Sequence, residues 1–101
     1  MFDIITIGTA TKDIFLTSPL FRVVNDRKHL KKLGFPTGEA QCFALGGKIE
    51  IGKPILSTGG GATNAATTFA RQGLKTACLV KIGKDEAAEN ILSEFKKEKI
   101  V

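Results

Sequence analysis

This 101-residue sequence predicts an α/β protein with a parallel sheet, a βαβ unit and a small β-hairpin flap, and three features carry that prediction. A β-branched apolar run from Phe2 to Gly8 ends in glycine, which suits a buried first strand whose C-terminal end opens towards a ligand. Gly59-Gly60-Gly61 runs straight into an amphipathic helical pattern. A further apolar run, Thr76 to Ile82, follows that helix. Strand, helix and strand in this order imply parallel pairing through a right-handed crossover.

The remaining elements follow in order. Asp13 to Leu16 reads as a second short extended piece. From Thr17 to Thr37 a charged stretch is punctuated by Pro19, Gly34 and Pro36, an excursion from the main sheet with a helical turn or more. Gln41 to Leu45, the pair Gly46-Gly47, and the alternating Lys48 to Ile51 predict an antiparallel hairpin. Such a hairpin serves either as a flap beside the sheet or as simple scaffolding. Ala62, Ala65, Ala66, Phe69 and Ala70 make one helical stripe, with Gly73 placed to stop it. Asp85 is a candidate N-cap for a helix from Glu86 to Lys97, with Ala87, Ala88, Ile91, Leu92 and Phe95 on its inner face. Ile100 and Val101 read as the start of another strand. The whole is one domain, 1–101, with an excursion at about 14–56 and a βαβ core formed by 1–13 and 57–101.

Composition narrows the function classes. A hydrophobic fraction of 43%, a charged fraction of 25% and a mean hydropathy of +0.06 describe a soluble globular chain, not a disordered one. No apolar run approaches the roughly 20 residues that span a bilayer, and Met1-Phe2-Asp3 is unlike a basic secretory leader. A cytoplasmic protein with no membrane partner is expected. The net charge of +5 concentrates at 27–32 and 96–99. The second cluster is interleaved with Glu94 and Glu98, and the first lacks aromatic residues to stack bases, so no nucleic-acid partner is expected. Cys42 and Cys78 are far apart and lack CxxC or histidine spacing, which predicts neither a disulfide nor a metal site.

The chemistry is expected at the glycine run. Glycines admit a ligand close to the backbone, a helix start leaves N–H donors unsatisfied, and Asn64 adds an amide in the first turn. Tight strand-to-helix packing explains the same glycines equally well. Ligands of parallel α/β sheets sit beyond the carboxyl ends of the strands, which brings the Gly8 end, Asp13 and the turn from Gly59 to Asn64 into one region. On residue type alone, Asp13 also reads as a turn residue or cap. Two phosphate cradles fail. Gly47-Lys48 is followed by Ile49, with Cys42 where a P-loop begins in glycine, and Asn64 stands in place of the last glycine of G-x-G-x-x-G.

Taken in order, Gly8-Thr9-Ala10-Thr11-Lys12-Asp13, Gly59-Gly60-Gly61-Ala62-Thr63-Asn64-Ala65-Ala66, Ala70-Arg71-Gln72-Gly73 and Ile82-Gly83-Lys84-Asp85 resemble the N-terminal portion of ribokinase-like (PfkB) carbohydrate and nucleoside kinases. The resemblance covers nearly the whole chain and implies a partial ribokinase-like fold with a β-rich lid. It implies that Asp13 accepts hydrogen bonds from sugar or nucleoside hydroxyls, that Gly59 and Gly60 contact the sugar and act as a hinge for the lid, and that Asn64 holds another hydroxyl. It also implies ATP and Mg2+ as cosubstrate and cofactor of the full family member.

The chain departs from the family pattern in several places. Thr9 and Thr11 stand where members often carry asparagine, Gly61 where others have serine, lysine or alanine, and Ala88 where a glycine is common. The Gly-Ala-Gly-Asp-like turn that carries the family's catalytic aspartate has no counterpart among the 101 residues. No catalytic, nucleotide-binding or metal residue is therefore assigned, and the chain alone is expected not to turn over. The competing expectation is a non-catalytic binding module that forms a homodimer through its lid strands.

Overall fold

The computed structural model describes residues 1–101. Its elements are β1 (Ile4–Gly8), β2 (Thr11–Phe15), β3 (Arg22–Asn25), α1 (Arg27–Lys32), β4 (Glu39–Cys42), β5 (Ile55–Gly59), α2 (Gly61–Arg71), β6 (Thr76–Val80) and α3 (Glu86–Lys97). Two compact units emerge, one formed by Met1–Phe15 with Leu56–Val101, the other by Leu16–Ile55.

In the first unit, β1 and β6 pair in parallel, with Ile4 opposite Thr76 and Gly8 opposite Val80. Helix α2, which leads from β5 into β6, packs on both strands of this pair. The strand leading into the glycines, β5, pairs with β2 and not with β6. Alternation along β1 decides which side chains meet the helix. Thr6 is buried, and its hydroxyl donates to the Ala62 carbonyl of α2 at 3.0 Å. Its neighbours Ile5 and Ile7 are 58% and 73% exposed, as is Leu79 of β6 at 62%. Parallel strands are normally covered on both faces, so this layer is a partial α/β sheet with one apolar side bare. Beyond β6, Cys78 N–H donates to the Val101 carbonyl at 2.8 Å, and Val101 N–H to the Thr76 carbonyl at 3.2 Å, in strand fashion.

The core of this unit is Ala66, Ile91, Phe95 and Ile100, with Cys78, Val80 and Ile82 packed against it. Burying side chains the size of Ile91 and Phe95 contributes about 2 kcal/mol each. Both helices end where their caps dictate. Helix α2 stops at Gln72, and Gly73 then takes φ 89°, the left-handed C′ conformation that favours glycine. Asp85 caps α3 by accepting from the Ala88 N–H at 2.9 Å, with Glu86 and Glu89 in the first turn and Lys96 and Lys97 in the last, each on the favourable side of the helix dipole. Ala88, Ile91 and Phe95 are buried as expected. Leu92, placed on the same face by the periodicity, is 53% exposed because the buried stripe of α3 is narrower than the apolar one.

The two helices are tied at their C-terminal ends by Arg71, which donates from both Nε and Nη2 to the Glu98 carboxylate. Hydrogen bonding from Arg71 holds the Glu98 carboxyl below its ordinary 4.5. A lowered acid contributes stability above its unfolded value and loses it as pH falls through the folded one. Glu98→Gln should therefore lower the urea midpoint near neutral pH and flatten its decline between about pH 5 and about pH 3. Parallel wild-type and variant pH curves would show that the pair does not contribute.

In the second unit, β3 and β4 are antiparallel, with Arg22 opposite Cys42 and Asn25 opposite Glu39. Helix α1 connects them. Asp26 caps it by accepting from the His29 N–H at 3.1 Å, and Leu30 and Ala40 are buried. The small antiparallel pair expected here exists, but with a different partner: β4 pairs upstream with β3, while Lys48 to Ile51 forms no strand. Gly46-Gly47 makes a local turn closed by Gly47 N–H to the Ala44 carbonyl at 2.9 Å, and no ladder extends from it.

Candidate functional site

Strand β2 presents Thr11 and Asp13 two residues apart, hence on one face. The Thr11 hydroxyl donates to Asp13 Oδ1 at 3.0 Å. The carboxylate lies directly over Gly59, the last residue of β5. A Cβ built on Gly59 would overlap Asp13 Oδ2, approach Asp13 Cγ to 3.1 Å and Thr11 Oγ1 to 2.9 Å. Gly59 is buried, so the carboxylate and the glycine backbone share a space that admits no side chain.

Gly60 follows as the N-cap of α2, with φ 98° and ψ 149°. It offers no capping side chain. Thr9, from the turn between β1 and β2, supplies one instead, its hydroxyl accepting from the Gly61 N–H at 3.3 Å. Gly60 fits flush against that turn, since a Cβ there would overlap the Thr9 carbonyl oxygen and reach 2.9 Å from Ala10 Cα. Asn64 is exposed in the first turn of α2, its N–H donating to the Gly60 carbonyl at 2.9 Å. Asp13 and Gly59 are thus in contact, Gly60 adjoins them, and Asn64 stands one helical turn along.

Thr9 and Thr11 are contributors that residue type did not single out, although the spacing of two in a strand already places Thr11 beside Asp13. Lys12 points away from them, to an ion pair with Glu86 at 3.0 Å. A separate pocket of about 100 Å³, lined by Ser57, Thr58, Thr63, Thr67 and Arg71 among others, contains none of the four candidate residues. The buried Thr63 hydroxyl there has no protein partner.

Chemically, an ionised carboxylate with one oxygen held by Thr11 keeps capacity to accept from hydroxyl donors, and the glycines let such a ligand approach the backbone. No three His, Cys, Asp or Glu side chains gather in the chain to hold an ion, and neither phosphate-cradle spacing occurs.

A parallel α/β unit with a glycine turn at its strand ends is the class of fold that the residues define. The family model for pfkB family carbohydrate kinases matches residues 38–101, and the chain belongs to that family. Its α/β layer is accordingly a partial ribokinase-like fold of carbohydrate-kinase origin. No solved structure matches the chain. No helix is long and apolar enough to cross a membrane.

Proposed function

We propose that the chain is the substrate-binding N-terminal part of an ATP-dependent sugar kinase acting on a sugar or nucleoside hydroxyl. Asp13 accepts hydrogen bonds from the ligand's hydroxyls, Gly59 and Gly60 form the floor and the hinge, and Asn64 holds a further hydroxyl. Residues at about 14–56 act as the lid, and the setting is the cytoplasm. The observation that supports this reading is the Asp13 carboxylate seated on Gly59 and held by Thr11, in a chain of this family. ATP and Mg2+ belong to the proposed parent reaction, and the turn that positions the phosphoryl group is not among these residues.

Calorimetry with D-ribose, D-fructose and adenosine tests the binding half: heat with at least one is expected, together with no ATP-dependent phosphorylation by this chain. Turnover would contradict the assignment of a substrate half only. A second reading, a non-catalytic module that dimerises through its lid strands, is favoured by one observation. All four residues of β3 are exposed, Val23 at 70%. A dimeric solution mass without ligand heat would support that module over the kinase part.

A further inference from the structure

We infer that Thr11 is a positioning residue for the Asp13 carboxylate, an inference that rests on the proposed role of Asp13 in hydroxyl binding. The aspartate side chain has two torsions, and on a strand the first has two common staggered wells, near 180° and −60°. Left alone on a strand, the carboxylate would spread over several orientations, only some of them presenting an oxygen at the glycine turn. Two contacts remove that freedom. The Thr11 hydroxyl donates to Oδ1 at 3.0 Å, and Oδ2 is then set against Gly59, where a Cβ would overlap it.

Position 11 is suited to supply the donor. Thr11 and Asp13 share a strand face, Lys12 between them is drawn to Glu86 at 3.0 Å, and the Thr11 hydroxyl already reaches Oδ1. A hydroxyl suits the task, because it donates one hydrogen without bringing a charge that would compete with the ligand for the carboxylate. Ordering the side chain before the ligand arrives removes an entropic cost that binding otherwise carries. Thr11 therefore acts through Asp13 and not by touching the ligand.

The test compares Thr11→Val, which keeps β-branching and strand propensity but removes the donor, with Thr11→Ser, which restores it. Thr11→Ala serves as a second donor-free variant. In the ligand-free chain, the three-bond Hα–Hβ couplings of Asp13 should report one rotamer in wild type and Thr11→Ser, and averaging in Thr11→Val and Thr11→Ala. With whichever of D-ribose, D-fructose or adenosine binds wild type, affinity should fall on the order of tenfold in the donor-free variants and recover in Thr11→Ser. A single Asp13 rotamer in the donor-free variants overturns the inference, whatever the affinities. If none of the three ligands binds wild type, the substrate reading fails, and the couplings still decide the role of Thr11.

Discussion

Gly60→Ala is expected to lower the stability of the first unit by about 3 kcal/mol, measured as a fall in urea midpoint at unchanged slope. Two independent costs combine. The backbone at Gly60 has φ 98° and ψ 149°, close to a region that is essentially restricted to glycine, where other residues cost on the order of 1–3 kcal/mol. The added methyl would also overlap the carbonyl oxygen of Thr9 and lie 2.7 Å from its carbon. Those are backbone atoms, which cannot rotate aside as a side chain would, so the turn between β1 and β2 must move. That movement would also pull the Thr9 hydroxyl away from the Gly61 N–H it caps.

Gly61→Ala provides the internal contrast. A Cβ at Gly61 meets nothing within 4 Å, and the residue is the first of α2, so alanine there should be neutral or stabilising by up to about 1 kcal/mol. Adjacent glycines with opposite responses would separate a steric requirement at the turn from a general need for glycine. Equal responses would contradict the geometry described for Gly60.

The second large effect concerns binding. Asp13→Asn should weaken the ligand found by calorimetry by about 100-fold while leaving the urea midpoint nearly unchanged. Hydrogen bonds to a charged group contribute roughly 1.5–3 kcal/mol, and each 1.4 kcal/mol is a factor of about ten, so losing the charge at one or two hydroxyl contacts reaches this range. Asparagine keeps the shape over Gly59 and can still accept from Thr11. Affinity within about threefold of wild type would remove Asp13 from the binding role.

Much of the first unit was legible in the sequence because local signals there coincide with the tertiary answer. Asp85 caps α3, Gly73 takes the left-handed conformation after α2, and the apolar runs of β1 and β6 are the parallel pair. The misreadings occur where partners are distant. Paired glycines at 46–47 suggested a hairpin with the alternating residues after them, yet β4 finds its ladder upstream in β3, across a helix that no tight-turn signal announces. Asn25 Nδ2 donates to Glu39 Oε1 at 3.2 Å, and Asp26 N–H to the Gly38 carbonyl at 3.1 Å, closing that connection with contacts that periodicity does not report. At the candidate site, the glycines stood out by type and position and Asp13 through the family resemblance, the spacing of two along β2 places Thr11 beside Asp13, and the part of Thr9 depends on which chain segments meet. Leu92 shows the complementary failure, since a helical stripe states which residues are apolar but not how wide a face its neighbours cover.

If the glycine turn and Asp13 form a hydroxyl-binding surface, the backbone amides of the 101-residue chain should report it by NMR during titration with D-ribose, D-fructose and adenosine. At least one ligand should produce saturable shifts concentrated at Asp13, Gly59, Gly60 and Asn64, and Asp13→Asn should move their midpoint to about 100-fold higher ligand concentration. Saturable shifts centred elsewhere, or none with any of the three, would contradict that surface.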